Sequence, residues 1–96
     1  MFIVSVTYQQ PLEVVDHHLP AHLAFLDCYF SQGTFIASGH KVPRTGGIIL
    51  ATGVTRDQLD AILLEDPFNQ HGVASYEVIE FEPNRTGPEY TWFLKL

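Results

Sequence analysis

TFIASGHKVPRTGGIILAT, the stretch from Thr34 to Thr52, decides the fold. Thr34–Ser38 and Gly47–Thr52 are short apolar and β-branched runs, and the connection Gly39–Gly46 contains proline and glycine. The two strands suit an antiparallel hairpin with a long loop. The second of them is apolar on both faces and therefore reads as a central strand. Gly46-Gly47 leads into a strand rather than a helix, and no Gly-Lys-Ser/Thr follows, so it is not a phosphate loop.

Upstream, Leu12 to Ser31 reads as helical, with Leu19, Leu23, Leu26 and Phe30 as its apolar stripe. Proline is best placed in a helix's first turn, so Pro20 sets the start of the main helix near His18 or Leu19. Leu12–His17 is then a turn or a kinked first segment, and Gly33 is the C-terminal stop. Downstream, Thr55 and Gln58 form a capping box, with Val54 and Leu59 as the accompanying hydrophobic staple. Leu59, Ile62 and Leu63 form the buried side of this second helix, and Pro67 ends it at about Asp66. Asp66 can then cap a short helical turn that carries Pro67 at its first position and stops at His71-Gly72.

The outer strands complete the pattern. Phe2, Val4, Val6 and Tyr8 alternate with Ile3, Ser5 and Thr7. In Val73–Phe81, Tyr76 and Val78 lie on one parity and Ile79 and Phe81 on the other, which implies a bulge or burial of both faces in different parts. The order β-α-β-β-α-β is α+β and ferredoxin-like, a four-stranded antiparallel sheet with both helices on one face. The bare face carries enough apolar residues to need a cover, which predicts a homodimer through the sheet faces. Residues 1–82 form the domain and 83–96 a C-terminal extension, whose apolar tail (Tyr90, Trp92, Phe93, Leu94 and Leu96) should cover the partner or the mouth of a cleft.

Composition narrows the function. Ninety-six residues make one domain, which buries only about 60–65% of its unfolded surface. Yet 46% of the residues are apolar and only 17% charged, which again asks for a further buried surface. The net charge of −6 and the lack of a basic cluster argue against nucleic acid and against anionic membranes. No apolar run approaches the length of a bilayer span, and the N-terminus reads as a strand without a positive leader. A single cysteine excludes an internal disulfide framework. These features predict a cytoplasmic protein.

Two motifs carry chemistry. His22, in Pro20-Ala21-His22-Leu23, lies at i+3 from Leu19 and i−4 from Leu26 and so borders the buried stripe. Asp66, in Asp66-Pro67-Phe68, is a helix cap that has a second oxygen to offer. A carboxylate that meets an imidazole orients the ring and raises its basicity, which makes an acid/base device. The bland alternatives are a satisfied half-buried histidine and a plain N-cap. His18 and His22 have chelating spacing, but Pro20 disturbs it and no second ligand cluster exists, so no metal site is expected. Cys28 reads as a core residue. His40 and Arg44 lie in the hairpin loop, either solvated or forming a substrate-facing flap.

Pro20-Ala21-His22-Leu23, the Gly-x-x-x-x-Ser-Gly run from Gly33 to Gly39, and Asp66-Pro67-Phe68 together resemble the YCII-related (YciI-like) family over about residues 2–82. The resemblance implies the dimeric α/β-barrel version of the ferredoxin-like fold and a His-Asp pair in a cleft. It also implies kinship with isomerases, monooxygenases and lyases of small cyclic or aromatic compounds. Carried onto this chain, it implies His22 and Asp66 as the catalytic pair, with Ser38 and Gly39 as weaker site candidates; His40, in the hairpin loop, and Phe68, beside Asp66, are further expected substrate-binding residues. Family members often carry arginine three residues before the histidine, where this chain has Leu19, and proline where it has His40. The expected function is therefore a small cofactor-independent acid/base enzyme of isomerase or lyase type. The alternative is a non-catalytic dimer that binds a small ligand or a partner.

Overall fold

The computed structural model describes residues 1–96 and follows the order β1 (Phe2–Tyr8), α1 (Leu12–Ser31), β2 (Phe35–His40), β3 (Gly46–Ala51), α2 (Arg56–Leu63), α3 (Pro67–Gln70), β4 (Ala74–Glu80) and a 3-10 segment (Pro88–Lys95). The four strands form one sheet in the order β2-β3-β1-β4, with every neighbouring pair antiparallel. This is the ferredoxin-like arrangement, and β3 is internal as its two apolar faces predict. No helix is long and apolar enough to cross a membrane.

Phe2, Val4 and Val6 of β1 and Ile49 and Ala51 of β3 share one core with Val15, Phe25, Leu26 and Tyr29 of α1, Leu59 and Leu63 of α2, and Phe68 of α3. All the helices therefore cover the same side of the sheet. On the other side, Ile3 stands opposite Leu50 on one neighbouring strand and Ile79 on the other. Directly opposed residues share a face, so these three form an apolar row. Ile79 is 48% exposed.

The local signals in α2 and α3 hold. Thr55 Oγ accepts from the Gln58 backbone N–H, and Gln58 returns a bond to the Thr55 N–H. Asp66 caps α3 with Pro67 at its first position. At the end of α1, Gly33 has φ +79° and donates to the Phe30 carbonyl, while Thr34 donates to that of Tyr29. This is a Schellman cap, whose left-handed position glycine fills without strain.

Four expectations need correction. First, α1 starts at Leu12, not near His18, and Pro20 lies inside it. The proline forfeits one helix bond, a cost of up to about 3 kcal/mol. Full burial of Val15 and packing of Leu19 on the core hold the first two turns in place against that cost. Second, of the predicted stripe Leu26 is buried and Leu19 and Phe30 pack on the core, but Leu23 does not, and the inward face is completed by Val15, His22, Phe25 and Tyr29. Phe25, Tyr29 and Phe30 pack around Phe35 with ring centroids 5.4–6.1 Å apart, whereas Leu23 is 48% exposed. Aromatic rings bury more area than leucine and take the deeper positions. Third, Cys28 is exposed. It accepts a weak bond from Gln32 one turn later, on the outer side of α1. Fourth, β4 contains no bulge and pairs in continuous register with β1, while the irregularity lies in β2, between Phe35 and Ala37. The parity change in β4 marks Ile79 facing out, whereas Tyr76 and Val78 pack on the core.

Gly46 sits where β3 passes β1 most closely. A Cβ there would lie 1.8 Å from the Val6 carbonyl oxygen, whereas a Cβ at Gly39 would meet nothing within 4 Å. Backbone cannot yield as a side-chain tip can, so only glycine fits at position 46. Gly46→Ala should therefore destabilise the fold by about 3 kcal/mol or more, and Gly39→Ala by under about 1 kcal/mol. Urea unfolding of the two variants beside the wild type tests this, and equal losses would refute it.

Candidate active site

Asp66 is fully buried. Its position is fixed by the chain: α2 ends at Leu63, earlier than the expected Asp66, and Pro67 opens α3 with the Asp66 carboxylate turned back as its cap. Three donors converge on it: His22 Nδ1 at 2.8 Å and the Phe68 backbone N–H at 3.0 Å, both to Oδ1, and the Tyr76 hydroxyl at 2.6 Å to Oδ2. A buried carboxylate is tolerable only with such compensation, because hydrogen bonds to the ionised form replace the lost water. The donors come from α1, α3 and β4.

The same contacts fix the state of the imidazole. An ionised carboxylate only accepts, so the hydrogen of the ring lies on Nδ1. Nε2 has no protein partner. The His22 ring stacks on Phe68 with centroids 3.9 Å apart and planes 3° from parallel, which restricts its rotation. His22 is thus held in one orientation by Asp66 and Phe68.

The ring lines a cleft of about 280 Å³ between α1 and the β2–β3 hairpin. Ser38, Gly39, His40 and Phe68 line it too. Asp66 does not line the cleft and reaches it only through His22. The remaining walls are mainly apolar, with Leu19, Leu23, Leu26 and Ile49 among them. The tail, expected at the mouth of a cleft, contributes no lining residue, and Tyr90 and Trp92 are exposed.

Tyr76 is the site residue that sequence reasoning missed. A signal existed: it shares the inward parity of Val78, and a phenol turned into a core needs a partner for its hydroxyl. Burial, and then its bond to Asp66, push the Tyr76 phenol far above its ordinary value. Tyr29 donates to Glu65 Oε2 at 2.6 Å, a second tie from α1 to the segment that carries Asp66. That bond, followed by burial, raises the Tyr29 phenol to about 12.

His18, considered above as a metal ligand, stacks on His71 with centroids 4.4 Å apart, and His17 meets it edge-on. No group of three or more His, Cys, Asp or Glu side chains is placed to hold a metal ion. Burial lowers the His18 imidazole, with smaller contributions from His71 and His17.

Alkaline titration reads the carboxylate network directly. The folded-state values of Tyr29 and Tyr76 lie above the unfolded value of about 10. Their contribution to stability is therefore complete below pH ~10 and declines above it, as the unfolded chain releases protons that the folded chain retains. Ultraviolet difference titration should show two late phenols in the wild type and one in Tyr76→Phe. Early titration of all four tyrosines in the folded chain would contradict this geometry.

Comparison with known proteins agrees with the architecture. The solved structure of 5-chloro-2-hydroxyhydroquinone dehydrochlorinase (TftG) from Burkholderia phenoliruptrix AC1100, in complex with 2,5-dihydroxybenzoquinone, superposes with a TM-score of 0.72. The alignment covers 88% of this chain and 96% of that one at 19% identity, a likeness of fold. No curated protein matches in sequence. The sequence model of the YCII-related domain matches residues 1–82. On that match, the chain belongs to the YCII-related domain family.

Proposed function

We propose that the protein is a small enzyme that works without a cofactor, moving a proton on a small cyclic or aromatic compound in an isomerisation or an elimination. The observation that carries this reading is the 2.8 Å contact between His22 Nδ1 and the buried Asp66 carboxylate, which accepts three hydrogen bonds, in a ring that lines the cleft and whose Nε2 has no protein partner. A ring compound in the cleft would present an acidic C–H or O–H to Nε2. His22 takes the proton, and Asp66 stabilises the imidazolium that forms. The electron pair left on the substrate then either shifts along the ring or expels a leaving group with its bonding pair. In the first case the imidazolium returns the proton at a new position. In the second it gives the proton to the departing group. The fold likeness to a dehydrochlorinase whose structure holds a hydroxylated quinone supports screening hydroxylated single-ring compounds first.

His22→Gln keeps a polar side chain of similar reach and removes the base. Turnover should fall by about 10²-fold or more with the fold retained, the usual worth of a positioned acid/base group. Asp66→Asn should also slow turnover, and nitrogen-15 NMR should then show His22 losing its single Nδ1–H tautomer. Undiminished turnover in His22→Gln removes the proposed role. Saturable ligand stabilisation of the wild type with no product would instead favour a non-catalytic binding dimer.

The reading includes a cytoplasmic homodimer built through the free sheet face, with residues 83–96 as an extension outside the domain. The Ile79–Ile3–Leu50 row supports that contact, since apolar side chains in a row across a sheet gain from a second layer. Sedimentation equilibrium at micromolar concentration should give twice the 10.8 kDa chain mass, and Ile79→Lys should shift it toward the monomer. A wild-type monomer would exclude this part of the reading.

A further inference from the structure

The charge of the cleft is opposite to that of the chain. The sequence holds 11 acidic residues against 5 lysines and arginines, yet no aspartate or glutamate lines the cleft. Its ionisable lining consists of Arg44, His22, His40 and the phenol of Tyr8. Arg44 comes from the loop that joins β2 to β3. Its Nη2 donates to Asp16 Oδ1 at 2.5 Å, and its guanidinium carbon lies 5.9 Å from the centroid of the Tyr8 ring. Asp16, on the first turns of α1, holds one edge of the fork and is not itself a lining residue. The loop is tied down as well, through bonds from the Lys41 N–H to Gly46 O and from the Tyr8 N–H to Thr45 O. Arg44 is therefore a permanent cation anchored at the rim, with part of its fork uncommitted to Asp16.

We infer that Arg44 selects a small planar ring bearing an ionised oxygen, a phenolate, enolate or carboxylate, and binds that oxygen while the apolar walls take the ring. This rests on the reading of the cleft as the ligand site and names the class of ligand. The size fits: a cavity of about 150 Å³ can already admit benzene, so about 280 Å³ holds a single substituted ring. A dinucleotide would not fit. The charge fits too, because a planar guanidinium matches a carboxylate or an ionised ring oxygen, and no carboxylate in the lining opposes the anion. The negative surface of the rest of the chain makes this one cationic rim the place where such an anion can dock.

Benzoate and benzamide, equal in shape and different in charge, test the assignment on the full chain. Binding is followed at pH 8 and low salt by calorimetry or by amide shifts. Wild type should prefer benzoate by about tenfold or more, the scale of one charged hydrogen bond. Arg44→Met should reduce the preference to within about twofold. Arg44→Lys should keep part of it, and Arg44→Gln serves if Arg44→Met does not fold. Equal binding of the two probes, no saturable binding of either, or a preference untouched in the Arg44 variants would overturn the inference. A preference that survives Arg44→Met and vanishes in His22→Gln would assign the charge to His22. That result ends this proposal and leaves the acid/base reading, which turnover tests separately, intact.

Discussion

Asp66 is a carboxylate without access to solvent, and much of the arrangement around it answers that constraint. An ion in such a place is held only if its lone pairs are filled, and here each donor comes from a different element: His22 from α1, the Phe68 amide from α3, and Tyr76 from β4. The sheet and the helical layer are thus joined at one charged atom group as well as by apolar packing. Loss of any donor would leave the others holding an under-satisfied charge, so the three behave as a unit rather than as separate bonds.

The same constraint yields the chemistry. Two of the donors, the Phe68 amide and the Tyr76 hydroxyl, fix the carboxylate, and the carboxylate in turn fixes the ring. Phe68 acts twice, through its backbone on Asp66 and through its side chain stacked on His22. The aspartate lies behind the ring and outside the cleft, where it can stabilise a charged imidazole without meeting a ligand. Around this fixed centre the cleft is built mostly of α1 and the β2–β3 hairpin. Apart from His22, the lining side chains of those elements make no bond to the carboxylate.

Local physics was easy to read where one residue type has one good explanation. The Thr55–Gln58 capping box, the Asp66-Pro67 start of α3 and the left-handed Gly33 each follow from a short run of chain. Reading was poorer where a long-range packing gain opposed a local cost. Pro20 resembled a helix start because its missing N–H is costly inside a helix. Burial of Val15 and packing of Leu19 keep α1 whole. The stripe expected for α1 is right at Leu19, Leu26 and Phe30 but not at Leu23, and the space beside Phe35 takes Phe25 and Tyr29, which the stripe leaves out.

By itself the sequence determined the order of elements, the antiparallel sheet, and His22 and Asp66 as the pair to watch, because periodicity, caps and motifs are properties of neighbouring residues. Tertiary structure alone decided that Tyr76 completes the carboxylate's shell. It also decided that Cys28 faces outward and that Arg44 is anchored at the rim of the cleft by Asp16. These depend on which strands and helices lie against each other, and no spacing along the chain encodes a hydrogen bond between a strand at one edge of the sheet and the residue that caps the start of a helix.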